Sequence, residues 1–177
     1  MKGISKSFEL SPAGSSAVWF IALVVIMPIA IFLLVIWNEA PAFNDVPGWL
    51  LGLFFGLGPA IILGLAVSSR RTRVALSQNG LTIKASFINK CWPLAELDRS
   101  RAKVIDLQKQ TDLKPKWKLW GAAMPGLSSG TFKLYNGDKA HVYITDKSKI
   151  VYIPTQNGTI LLSLVRPKEF LDTLQAM

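Results

Sequence analysis

Val74-Ala75-Leu76-Ser77-Gln78-Asn79-Gly80-Leu81-Thr82-Ile83 is the stretch on which the fold reading turns. A short β-favouring run, Val74 to Ser77, precedes an Asn-Gly pair and a second run, Leu81 to Phe87. In that second run Leu81, Ile83 and Ala85 alternate with Thr82, Lys84 and Ser86. A period of two places alternate side chains on opposite faces of a strand. Asn-Gly between two such runs signals a hairpin, because the tight turn demands positive φ.

Toward the C-terminus the same grammar repeats. Ile88 to Leu97, broken by Pro93, reads as a bend leading to a short strand, and Ala102 to Leu107 as the next strand. Gln108 to Ser129 shows no period and reads as a long irregular loop. Strands resume at Thr131 to Tyr135, turn at Asn136-Gly137, and continue at Ala140 to Thr145, Ile150 to Pro154 and, after Asn157-Gly158, Thr159 to Leu164. Arg166-Pro167-Lys168-Glu169 reads as a helix start, since proline is tolerated in a first turn and an acid suits the positive end of the helix dipole. Phe170, Leu171 and Leu174 then share one face. Residues 70–177 are therefore expected to form an α+β domain, an antiparallel barrel or sandwich of about seven strands closed by a C-terminal helix.

Toward the N-terminus the composition changes. Ala17 to Trp37 is 21 residues without a charge, and Gly48 to Val67 is another 20. At 1.5 Å per residue each run spans roughly 30 Å, the thickness of a bilayer's hydrocarbon core. Trp19, Trp37 and Trp49 fall near the run ends, where an amphipathic ring sits at headgroup depth. A secretory signal is the competing reading, but the first apolar run is far longer than the roughly 7–15 residues of a signal, and a second follows at once. Residues 1–69 are thus expected to be an N-terminal tail and a transmembrane α-hairpin, with helices at about 17–37 and 48–67.

Lys and Arg near the span ends set orientation. The connecting loop, residues 38–47, has Glu39 and Asp45 and no base, whereas Lys2 and Lys6 precede the first run and Arg70, Arg71 and Arg73 follow the second. Both termini are expected in the cytoplasm, with the chain multi-pass in the membrane. Gly48, Gly52, Gly56, Ala60 and Gly64 put a small residue at every fourth position of the second run. Such a stripe suits close helix packing against the first helix, a second copy or another membrane protein.

Charge divides the chain in the same place. The mean hydropathy is +0.34 and the net charge +9. Residues 1–69 carry two bases and three acids (−1), and residues 70–177 carry 18 bases and eight acids (+10). Lys114, Lys116 and Lys118 interleave with Trp117 and Trp120 in the expected loop. With Arg70, Arg71 and Arg73 they are candidate contacts to an anionic leaflet, where each base contributes on the order of 1 kcal/mol. Solvated lysines and topology-setting arginines are the plainer reading. Nucleic acid is the other partner of a basic domain, and the tether argues against it. Cys91 is the only cysteine and His141 the only histidine, so no disulfide, Cys-based metal cluster or two-imidazole site can form within the chain. No metal or cofactor is expected. His141 is read as a structural strand residue.

Three segment groups carry a family resemblance. They are Val74 to Ile83 with Trp92-Pro93-Leu94-Ala95-Glu96-Leu97, then Gly130-Thr131-Phe132-Lys133-Leu134-Tyr135-Asn136-Gly137, and finally Val151-Tyr152-Ile153-Pro154-Thr155 with Pro167-Lys168-Glu169-Phe170-Leu171. Over about residues 70–176 the chain resembles a pleckstrin-homology (PH) domain, in particular the bacterial PH-like domains found beside membrane helices. The resemblance implies a fold and a location at the membrane, and no catalytic residue. The expected function is a non-enzymatic, membrane-anchored interaction module that holds lipid headgroups or a protein partner. The alternatives are an accessory subunit of a membrane transporter or enzyme complex, and a membrane enzyme acting through His141.

Overall fold

The computed structural model describes residues 6–12, 14–37, 47, 49–50, 53–57, 60–61, 64, 72–85 and 88–177. Their order is β1 (Lys6–Glu9), α1 (Ser15–Trp37), a π-helical turn (Leu53–Leu57), β2 (Arg73–Ser77), β3 (Gly80–Ala85), β4 (Ile88–Trp92), β5 (Lys103–Ile105), β6 (Pro115–Met124), β7 (Leu127–Leu134), β8 (Lys139–Ile144), β9 (Ile150–Thr155), β10 (Gly158–Ser163) and α2 (Pro167–Gln175). Single 3-10 turns lie at Leu94–Glu96 and Thr111–Leu113.

The opening hairpin forms as expected, with its turn displaced by one residue. Ser77 pairs with Gly80, so Gln78 and Asn79 make the loop and Gly80 begins β3. Gly80 has φ +143 and faces the Trp92 carbonyl, which a Cβ would overlap. Thr155-Gln156-Asn157-Gly158 repeats the device: Gly158 pairs with Thr155 at φ +133. In both turns the hydroxyl before the loop donates to the glycine carbonyl, Ser77 to Gly80 at 3.2 Å and Thr155 to Gly158 at 3.0 Å.

Two sheets result, β1-β2-β3-β4 and β5-β9-β10-β8-β7-β6. They are open sheets and not a closed barrel, and the strands number ten among the described residues rather than about seven. Between them lies a core of Phe8, Leu76, Ile83, Trp92, Tyr143, Ile160 and Leu162, sealed by Phe170 and Leu174 of α2. A second core, with Phe132, Val142, Ile150 and Leu161, covers the other face of the larger sheet. β10 supplies residues to both and is buried on both faces, which fits its unbroken apolar run. It lies parallel to β8 and antiparallel to β9, so the expected all-antiparallel pairing is interrupted: the chain passes from β8 to β9 and returns between them.

The N-terminal tail belongs to this domain. β1 pairs with β2, Phe8 opposite Val74 and Glu9 opposite Arg73. The Phe8 ring meets Phe170 edge-on, with centroids 5.0 Å apart at 81°, and Lys6 pairs with Glu169 at 2.8 Å. Leu10 bridges to Leu164. The Ser11 N–H donates to the Ser163 carbonyl at 2.9 Å, and the Thr145 hydroxyl donates to the Ser11 carbonyl at 2.7 Å. α1 begins four residues later. Because Arg73 lies opposite Glu9, the chain leaves the domain for α1 and re-enters it at β2 by the same end.

The backbone of α1 covers 23 residues with Pro28 inside and no charge, about 34 Å at 1.5 Å per residue. Its side chains are described without a break only over residues 18–34, which is 17 residues. Among the described residues no helix is long and apolar enough to cross a membrane. Most of the second apolar run, with Gly48 and Gly52, lies outside the described residues. Gly56 falls in the π-helical turn, while Ala60 and Gly64 are helical. Among the described residues a Cβ at Gly56 or Gly64 would meet nothing within 4 Å. Among the same residues Phe32 stacks on Phe55, 5.5 Å between centroids.

Candidate functional site

The segment expected to be an irregular loop is the most exposed hairpin of the domain. β6 is the free edge of the six-stranded sheet, and Lys116 to Ala123 are exposed on it. Its base is anchored: the Tyr135 N–H donates to the Lys114 carbonyl at 3.1 Å and the Asn136 N–H to the Asp112 carbonyl at 3.0 Å. Two register shifts interrupt the ladder, one between Pro115 and Trp117 and one between Lys118 and Trp120. Bulges and lysines on a free edge discourage pairing with another chain.

The second bulge has a chemical consequence. In a regular strand Trp117 and Trp120 would point to opposite faces. Here Trp117 sits opposite Lys133 and Trp120 opposite Thr131. Lys133 and Thr131 are two residues apart on β7, so the extra residue, Leu119, turns both indoles to one face. That face also carries Lys139 and His141 of β8, which pair with Lys133 and Thr131. Trp117, Leu119 and Trp120 are 66%, 57% and 56% exposed, a concentration of bare apolar surface. At the base of the hairpin the Lys116 ammonium lies 5.4 Å from the centre of the Tyr135 ring.

Inward on the same face, His141 is half-buried. The Lys90 ammonium of the other sheet donates to Nε2 at 2.7 Å, and Thr131 Oγ1 lies 3.2 Å from Nδ1. The Trp92 ring is 5.3 Å away. Burial, then the charges of Lys90 and Lys139, push the imidazole down to about 4. The ring is therefore neutral at pH 7, accepting at Nε2 and donating from Nδ1 to the threonine. Lys90 is itself lowered, first by burial and then by Lys139, with Glu96 opposing. Tyr143, two residues along β8, is buried with a hydroxyl that has no partner among the described residues, and burial raises it to about 12. His141 is thus engaged on both nitrogens inside a cationic cluster.

Other residues singled out in the sequence are dispersed. Arg73 is exposed at the start of β2. Arg70 and Arg71 lie outside the described residues. Lys114 and Lys116 sit at the end of β6 near the Asn136-Gly137 turn, and Lys118 lies opposite Phe132 on the reverse face from the indoles. An open cleft of about 900 Å³ is lined by Glu96, Asp98, Arg99, Arg101, Gln156 and Gln175. Of its two carboxylates Asp98 is already satisfied, since the Ser100 hydroxyl and the Arg101 side chain and N–H hold it down to about 2. Among the described residues no group of His, Cys, Asp or Glu could hold a metal ion. Sequence reasoning missed Leu119 as a bulge and Lys90 as the partner of His141, a contact 51 residues apart in sequence that leaves no local signal.

No curated protein and no solved structure matches the chain. A family model described as a bacterial PH domain matches residues 72–177, from the first residue before β2 to the end of the chain. That span takes in the β2–β3 hairpin, the Trp-bearing edge hairpin, the His141 cluster and α2, and it covers more than half of the 177 residues. The chain belongs to the bacterial PH domain family.

Proposed function

We propose that this chain is a membrane-anchored, non-catalytic interaction module. Its PH domain is held at the cytoplasmic leaflet of the bacterial inner membrane by α1 and the apolar run after it, and the β6–β7 hairpin is the contact surface. PH domains are generally interaction modules for lipids or proteins. The observation that carries the reading is the pairing of Glu9 with Arg73, because a domain hung from a membrane hairpin must have both of its connections at one end. The charge-free, 23-residue backbone of α1 and the exposed Trp117, Leu119 and Trp120 support the same reading. Lys114, Lys116 and Lys118 supply the complementary charge for anionic headgroups.

Alkaline carbonate washing of membranes from cells making the full chain tests the anchor. The protein is expected to stay in the pellet with integral proteins. Release into the supernatant would overturn the proposal.

A further inference from the structure

We infer that the tip of the β6–β7 hairpin inserts into the lipid next to α1, as a third membrane contact; this rests on the reading of α1 as a membrane anchor. The register fixes where the tip lies. Met124 pairs with Leu127 across the Pro125-Gly126 turn, and Ser128 pairs with Ile144 on β8. The next residue, Thr145, holds the Ser11 carbonyl, and its own carbonyl lies 3.7 Å from where a Cβ of Gly14 would be, one residue before α1. The hairpin tip therefore flanks the point where the chain leaves the domain for α1.

Its chemistry matches that position. Between Lys118 and Lys133 no residue is charged, and the distal half of β6 reads Gly121-Ala122-Ala123-Met124. At about 3.3 Å per residue Trp117 lies roughly 23 Å back from Met124. Trp120 stands nearer, at a depth where an indole straddles the interface, followed by Lys118 among the headgroups. Lys116, about 7 Å behind Lys118, is within a Debye length of about 8 Å of the surface, and Lys114, about 13 Å behind Lys118, lies beyond that length. An uncharged tip, an aromatic ring behind it and a basic collar make a sequence graded for entry into an anionic bilayer. The occupant of this surface is the lipid leaflet, not a protein.

The test uses the full chain with Cys91→Ser, reconstituted in phosphatidylglycerol-containing vesicles. Single cysteines at Ala122, Ala123, Asn136 or Leu23 carry an environment-sensitive fluorophore, read against a quencher attached to lipid chains. Insertion predicts a blue-shifted, quenched label at both Ala122 and Ala123, which face opposite sides of the strand, and an unshifted label at Asn136. A shifted label at Leu23 with water-exposed labels at Ala122 and Ala123 overturns the insertion and leaves the anchor standing. A label in lipid at only one of the two alanines means a sheet face lying on the surface, and also overturns insertion. A water-exposed label at Leu23 removes the anchor and, with it, this inference.

Discussion

Replacing Phe8 by alanine should weaken the domain by about 3–5 kcal/mol, although Phe8 precedes the matched family span by more than sixty residues. The ring is 6% exposed and lies in the core between the sheets. Removing it forfeits the transfer energy of a buried aromatic side chain, about 1.5–3 kcal/mol. The unfilled cavity adds to this, and the edge-to-face contact with Phe170 accounts for about 0.5–1.5 kcal/mol of the total. Pulse proteolysis of the full chain across a urea series, in mild detergent, reads the loss as an earlier midpoint. Ser7→Ala, on the exposed face of β1, is the control and should stay within about 0.5 kcal/mol of the parent. If Phe8→Ala behaves like Ser7→Ala, the N-terminal strand is not part of the fold. The placement of Ser11 and Gly14, ahead of α1, beside Thr145 would then lose its foundation.

The remaining predictions follow from single geometries. Gly80→Ala should cost well over 1 kcal/mol, since positive φ and a clash with backbone coincide, and more than Gly137→Ala, where φ is +92 and nothing lies within 4 Å. NMR titration of the sole histidine should place His141 near 4, and Lys90→Met should raise it by removing a neighbouring cation. Because the folded imidazole resists protonation while the unfolded one binds a proton near 6.5, stability should fall as pH drops from 6.5 toward 4 and level off below, and His141→Gln should flatten that slope. In nanodiscs rich in anionic lipid, β6 amides should exchange more slowly than in zwitterionic ones. Changing Lys114, Lys116 and Lys118 to Glu should reverse that by more than tenfold, given about 1 kcal/mol per base; equal exchange in both lipids would refute the contact.

Local chemistry made part of this fold legible. The Asn79-Gly80 and Asn157-Gly158 turns and the Pro167 helix start announce themselves because each needs a particular backbone conformation from a particular residue. β6 was hidden because it is exposed on both faces and bulged twice, so Trp117 and Trp120 keep no regular alternation. β1 was hidden because four residues with one apolar side chain, Phe8, make no pattern; its partner strand lies across the whole apolar segment. The insertion of β10 between β8 and β9 is a property of chain topology. At the candidate site the tryptophans and lysines stood out by composition, but their sharing of a face depends on the extra residue at Leu119. The His141 cluster depends on the second sheet folding over the first.

Cysteine accessibility in spheroplasts tests the membrane-hung arrangement most directly. In a Cys91→Ser background, single cysteines at Ala42, between the apolar runs, and at Gln156, in the β9–β10 turn, are exposed to a membrane-impermeant maleimide. The account predicts labelling of Ala42→Cys in intact spheroplasts and of Gln156→Cys only after lysis. Labelling of Gln156→Cys without lysis, or protection of Ala42→Cys until lysis, would contradict it.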